Sequence, residues 1–169
     1  MNALAMVVFA VCAAVTVYIY FGYPALIYLL AKVRPRPIAR AEVEPSMTLI
    51  VPLYNEEQFV ERKIRNSLAV DYPREKLQLL FIADGCTDAT EEICRRHEDE
   101  TVRLIALPRG GKAAALNAGA AAAHGEILVF TDANVDLAPD ALRVMARCFA
   151  DPHVGGVSGK KEIRRAPRR

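Results

Sequence analysis

Gly125-Glu126-Ile127-Leu128-Val129-Phe130-Thr131-Asp132-Ala133-Asn134 is the stretch from which the fold is read. Its first half is an unbroken apolar run with β-branched and aromatic residues, which predicts a strand buried on both faces. The run stops at Asp-Ala-Asn. An acidic residue at the C-terminal end of a buried strand stands where open α/β sheets bind their ligands. Asp132 and Asn134 lie two apart, so in extended backbone their side chains project the same way. Such a pair of oxygen ligands suits a hard divalent cation and the phosphates it neutralises. The competing reading, that Asp132 only caps a turn, is decided by the rest of the chain.

Outward from this stretch, strands and helices alternate. Strands are predicted at Met47–Val51, Leu77–Ala83, Val102–Leu107 and through Phe130, with a fifth, short one at Val154–Val157. Asn55 is placed to cap a helix from about Glu56 to Val70, with Val60, Ile64 and Leu68 as its apolar stripe. Asp88, with Glu91 three residues on, resembles a capping box opening a helix through about His97. Lys112–Ala123 is Ala-rich enough to be helical and Gly125 stops it, while Pro139 opens a helix over Asp140–Phe149. This order predicts an α/β fold with a mostly parallel, Rossmann-like sheet and helices on both faces. No internal repeat is visible.

Before the sheet, Met1 to Ala31 contains no Asp, Glu, Lys or Arg. That exceeds the ~20 residues a helix needs to cross a bilayer. Tyr18, Tyr20, Tyr23 and Tyr28 cluster in its second half like an interfacial belt, and Gly22 with Pro24 predicts a kink or a division of the helix. A cleaved signal peptide fits poorly, since there is no basic n-region and no convincing small-residue cleavage site. A retained transmembrane anchor over 1–31 is expected. Lys32, Arg34, Arg36 and Arg40 follow, placing the remainder on the cytoplasmic side of a bacterial-type inner membrane. Residues 32–45, with three prolines, read as an extended basic linker, 46–159 as the α/β region and 160–169 as a solvated basic tail.

Composition excludes as much as it suggests. A formal charge of +2 on 169 residues gives no reason to expect a nucleic-acid partner. Cys12, Cys86, Cys94 and Cys148 form no C-x-x-C pair and are read as free thiols in a reducing compartment. His97, His124 and His153 are scattered and form no metal site. Gly110-Gly111-Lys112-Ala113 is not a P-loop, because Ala113 replaces the Ser or Thr and Ala106 stands where the first Gly belongs. No G-x-G-x-x-G follows the first strand, and Gly155-Gly156-Val157-Ser158-Gly159 is not a hydrolase elbow.

The loops after the strands carry the chemistry. In order they are Pro52-Leu53-Tyr54-Asn55-Glu56-Glu57, Asp84-Gly85-Cys86-Thr87-Asp88, Arg109-Gly110-Gly111-Lys112 and Asp132-Ala133-Asn134. With Gly111-Lys112-Ala113-Ala114-Ala115-Leu116-Asn117 and Thr131-Asp132-Ala133-Asn134, this series resembles the ordered motifs of family 2 glycosyltransferases, over about Met47 to Gly159. That family has the GT-A fold and includes membrane-bound enzymes of the cellulose-synthase and hyaluronan-synthase kind. The resemblance implies transfer of a sugar from a nucleotide-sugar donor, usually UDP-linked, to a glycan or lipid acceptor with inversion at the anomeric carbon.

The roles implied follow the motifs. Asp84 matches the aspartate that pairs with the uracil ring, a sensible acceptor for an imide N–H. Pro52, Tyr54 and Glu56 match the loop around base and ribose. Lys112 matches the lysine near the diphosphate, and Asp132 with Asn134 the D-x-D pair that holds ribose and Mg²⁺ or Mn²⁺. Two departures stand out: Ala83 precedes Asp84 where an aspartate is common, and Asn134 replaces an acidic residue, so it brings an oxygen ligand without charge. The family's catalytic base and its Q-x-x-R-W motif are expected beyond Arg169, since the chain has no Trp. The region is therefore read as the donor-binding half of a glycosyltransferase. The alternatives are a catalytically silent nucleotide-sugar-binding module and, on a similar sheet, a nucleotidyltransferase, whose Gly/Arg-rich first loop is missing.

Overall fold

The structure is a computed structural model that describes residues 2–160 and 162. It divides into two compact units, one ending at Ile38 and one beginning at Ala39. The basic tail read over 160–169 lies outside the described residues apart from Lys160 and Glu162.

The first unit is one helical run, Ala3–Val33, 31 residues with a mean hydropathy of 2.4 in its most apolar window, long and apolar enough to cross a membrane. It is built from α1 (Ala3–Val17), a π-helical turn (Tyr18–Gly22) and α2 (Tyr23–Val33). The expected division falls on that π turn. Pro24 occupies the first turn of α2, where its missing N–H costs the preceding turn a regular bond, and the wider turn accommodates it. Lys32 and Val33 belong to the helix, not to the linker expected from residue 32.

The second unit is a four-stranded sheet in the order β3-β2-β1-β4, all pairings parallel. Its strands are β1 (Met47–Leu53), β2 (Leu77–Asp84), β3 (Val102–Leu107) and β4 (Ile127–Phe130), and its helices are α3 (Glu57–Leu68), α4 (Thr90–Arg95), α5 (Lys112–Ala122) and α6 (Ala141–Ala146). β1 and β2 are almost wholly buried, as strands between two helical layers must be. On one face Leu49, Val51, Leu53, Leu79 and Phe81 pack with Val60 and Ile64 of α3, Cys94 of α4 and Leu142 and Ala146 of α6. On the other, Ile50, Leu80 and Ile82 pack with Ala115 of α5. The chain builds outward from β1 to β3, then returns on the opposite face through α5 to place β4 on β1's other side. The strand order therefore reverses between β1 and β4, the switch point where such sheets hold ligands.

Several expectations are corrected. β4 is not buried on both faces: Ile127 and Val129 pack on the core, but Phe130 is 53% and Leu128 37% exposed. The reason is that α5 lies over β1 and β2 and leaves β4's outer face uncovered. Gly125 ends no helix in a left-handed turn. Instead it passes so close to β1 that a Cβ there would sit 2.5 Å from the Thr48 nitrogen, and its own N–H donates to Thr48 Oγ1 at 2.9 Å. Val154–Val157 forms no strand; Gly155, Gly156 and Gly159 give the segment little side-chain surface to hold one. From Ala39 on, the linker is tied to the second unit. Ala39 donates to Asp151, Tyr72 Oη donates to the Pro45 carbonyl at 2.6 Å, and Glu42 and Glu44 pair with Arg147 and Arg143.

The helix starts also differ from a local reading. Asn55 does not cap α3. It adopts a left-handed φ of 53°, and its amide clips the neighbouring loop, accepting from Thr87 N at 2.8 Å and donating to Thr87 Oγ1 at 3.2 Å. The capping falls to residues from the next loop: Thr90 Oγ1 accepts from Glu56 N, and Asp88 accepts from both Glu57 N and Thr90 N. Glu57 returns the bond by accepting from Ala89 N at 3.1 Å, the role expected of Glu91. Pro139 precedes the capping residue Asp140, and α6 is shorter than expected, passing into a 3₁₀ turn at Arg147.

Candidate functional site

Parallel strands bring all their C-terminal ends to one edge, so the four loops singled out by sequence meet there. They enclose a cleft of about 280 Å³ lined by Pro52, Tyr54 and Glu56 after β1, Asp84 at the end of β2, Arg109 and Lys112 after β3, and Asp132 and Asn134 after β4. Every residue singled out for nucleotide or metal binding is in this one cleft.

Asp84 is held most tightly. Its side chain is 3% exposed, and its oxygens accept from Gly110 N at 2.6 Å and Gly111 N at 2.9 Å and pair with the Arg109 guanidinium. The Gly110 amide, with Gly111 and Arg109, keeps its carboxyl below the usual aspartate range despite burial. The next residue has to be glycine: Gly85 has a φ of 64°, and a Cβ there would lie 2.7 Å from the Arg109 nitrogen. Asp84 therefore sets the course of the β3–α5 loop as well as standing in the cleft.

Arg109 was the residue that the sequence left inside a quoted loop without a role. Its guanidinium lies 3.5 Å from the centre of the half-exposed Tyr54 ring, a stacked pair offering a flat, cationic surface. The signal was present in a cation directly before two glycines, but its stacking partner is far away in sequence. Opposite, Lys112 opens α5, whose first-turn amides add the positive end of the helix to its ammonium. Lys112 Nζ lies 2.6 Å from Asp132 Oδ1, and both side chains are more than half exposed.

Asp132 and Asn134 do not sit in extended backbone. A turn closed by Val135 N donating to the Asp132 carbonyl carries them, with Ala133 buried between the two exposed side chains. They still supply two oxygen donors to the cleft. Among the described residues no cluster of three His, Cys, Asp or Glu could hold a metal alone. One carboxylate and one amide oxygen fit a hard divalent cation that takes its remaining ligands from phosphate and water. The Lys112 ammonium on Asp132 marks the spot as one that favours positive charge.

Beneath this turn lies a residue the sequence reading passed over. Lys63 of α3 is fully buried, its Nζ donating to Val135 O at 2.7 Å and Thr131 Oγ1 at 3.1 Å. Burial pulls its pKa down to about 8, against the raising influence of Asp136 and Asp132. The buried stripe of α3 is Val60, Lys63, Ile64 and Ser67, so the signal was a lysine at a core position of the helical period.

The comparisons agree with this geometry. The chain is 31% identical over 152 residues to the poly-beta-1,6-N-acetyl-D-glucosamine synthase of Staphylococcus aureus (strain COL), covering 88% of this chain and 35% of that protein. It is 29% identical over 124 residues to the beta-monoglucosyldiacylglycerol synthase of a Synechocystis strain, covering 70% and 26%. The chain thus spans about a quarter to a third of these curated relatives. Among solved structures it resembles the mannosyltransferase PcManGT of Pyrobaculum calidifontis, in complex with GDP-Man and Mn²⁺, with a TM-score of 0.71 and 37% identity over 90% of this chain and 47% of that one. Staphylococcus aureus TarS 1-349 in complex with UDP-GlcNAc shares the fold, with a TM-score of 0.54 and 22% identity over 69% and 37%. The sheet is of the GT-A kind, and residues 48–167 match the sequence profile of glycosyl transferase family 2. The chain belongs to glycosyl transferase family 2.

Proposed function

We propose that residues 46–159 are the donor-binding half of an inverting, metal-dependent glycosyltransferase, anchored in a membrane by residues 1–31 with this half on the cytoplasmic side. The observation that carries the reading is the convergence of Tyr54, Asp84, Lys112, Asp132 and Asn134 on one cleft at the switch point. In it, the Tyr54–Arg109 stack and the fixed Asp84 loop receive the base, with Pro52 and Glu56 beside the ribose. Lys112 and the start of α5 would face the diphosphate, and Asp132 with Asn134 would hold a Mg²⁺ or Mn²⁺ ion. When bound, that ion neutralises charge developing on the leaving nucleotide. No residue of this cleft is proposed as the base that deprotonates the acceptor, a glycan or lipid.

A UDP-sugar is the expected donor. A second reading, a GDP-sugar, is favoured by the mannosyltransferase likeness at 37% identity. Calorimetric titration of the solubilised chain with UDP and with GDP, each with Mn²⁺, Mg²⁺ or EDTA, tests both. Metal-enhanced binding of one of them is expected, and absence of binding by either overturns the proposal.

A further inference from the structure

Lys63 is costly where it stands. Its side chain is fully buried, and it has two neutral oxygen partners and no carboxylate within 4 Å among the described residues. Asp136, on the adjoining loop, is paired with Arg62 at 3.3 Å. An apolar side chain of similar length would fill the same space without desolvating a charge, so packing alone gives no reason for an ammonium there.

What the ammonium does reach is specific. Thr131 immediately precedes Asp132, and Val135 immediately follows Asn134. One Nζ therefore ties both ends of the turn that presents the two cation ligands, from the core side, while Ala133 is pressed into the interior between them. α3 also starts at the loop carrying Tyr54 and Glu56, so Lys63 couples the β1 and β4 sides of the switch point through one helix.

We propose that Lys63 is a positioning residue for the cation-binding turn, holding Asp132 and Asn134 at the separation a shared metal and diphosphate require. This rests on the nucleotide-sugar reading of the cleft. Residues behind a metal's own ligands typically change its affinity by about 10–100-fold when removed. The base-side pairing of Tyr54, Arg109 and Asp84 with one another uses no bond to Lys63, whose ammonium reaches only Thr131 and Val135.

The test is the ratio of nucleotide affinity in Mn²⁺ to that in EDTA, measured with UDP and GDP on the solubilised full chain, with thermal melting alongside. Lys63→Met is expected to lower that ratio about tenfold or more, leave affinity in EDTA within about twofold, and melt at the same or a higher temperature. Thr131→Val, which removes one arm from a half-buried position, is expected to lower the ratio about threefold, and Thr131→Ser to restore it. A Lys63→Met ratio within twofold of wild type overturns the inference. So does a variant that melts earlier and loses affinity equally in Mn²⁺ and EDTA, which would show a packing role. Wild-type protein that binds neither nucleotide overturns the functional reading itself, and this one with it.

Discussion

Asp132 is ion-paired with Lys112, and in the proposed reading a bound cation would take the place of that ammonium on Asp132, leaving Lys112 to face the diphosphate. Asp132→Ala should therefore abolish the gain in nucleotide affinity that metal brings, whereas Asn134→Asp, which adds a charged ligand, should leave it equal or larger. Calorimetry showing affinity indifferent to both metal and Asp132 would remove Asp132 from the site. Asp84 makes a second prediction at this scale. Because its folded pKa is lowered, its contribution to stability is complete above the ordinary aspartate value of about 3.9 and is lost as pH falls through the lower folded value. Asp84→Asn keeps the shape but weakens the bonds to Gly110, Gly111 and Arg109, at a cost of about 1–3 kcal/mol near neutrality. In thermal melts across pH, the gap between wild type and Asp84→Asn should be constant from pH 7 to 5 and shrink below about pH 4.

The elements around the cleft are secured by each other's loops. α3 and α4 exchange caps through Glu57 and Asp88, and Asn55 bonds Thr87 across the same gap. One carboxylate, Asp88, satisfies an N–H at the start of both helices. Asp88→Ala is expected to cost about 1–2 kcal/mol, the size of a lost N-cap, and to lower the melting temperature by about 3–10 °C. A melting temperature within 1 °C of wild type would mean water replaces those bonds without loss. Asp88 at the start of α4 was legible locally, two residues from Thr90, but the bonds between the loops were not, because their partners are 31 to 34 residues apart. The helices themselves were legible, since the apolar period of α3 and the alanine content of α5 are local properties.

At the scale of the whole molecule two predictions concern what the chain does in a cell. The apolar Ala3–Val33 helix, with Lys32, Arg34, Arg36 and Arg40 at its end, should be an uncleaved anchor with its C-terminal side in the cytoplasm. Reporter fusions after Pro45 should give a cytoplasmic signal; an external signal, or a mature N-terminus near Ala31, would sink this. The 169 residues alone should bind donor without transferring sugar, because the proposed reading gives each acidic residue lining the cleft, Glu56, Asp84 and Asp132, a donor-side role. A positioned base typically contributes about 10²–10⁴-fold, and acceptor orientation adds a further proximity effect. Solubilised protein incubated with UDP- or GDP-sugars, metal and a membrane lipid extract should release nucleotide slowly at most. Sugar incorporation at ordinary enzyme rates would reveal a base among residues described as structural.

The order of the four strands and the helices between them, the parallel sheet and the four loops at its edge were determined by sequence alone, although a fifth strand expected at Val154–Val157 does not form. They depend on local periodicity and on the rule that parallel strands deliver their C-terminal ends to one side. Tertiary structure decided what those residues touch. It placed α5 over β1 and β2, which left Leu128 and Phe130 of an apolar strand uncovered. It brought Arg109 onto Tyr54 and Asp84, and buried Lys63 beneath Asp132. A strand's composition does not say which helix will cover it, and a lysine in an apolar stripe does not name its acceptors. Both follow from packing between segments far apart in the chain, which local pattern does not encode.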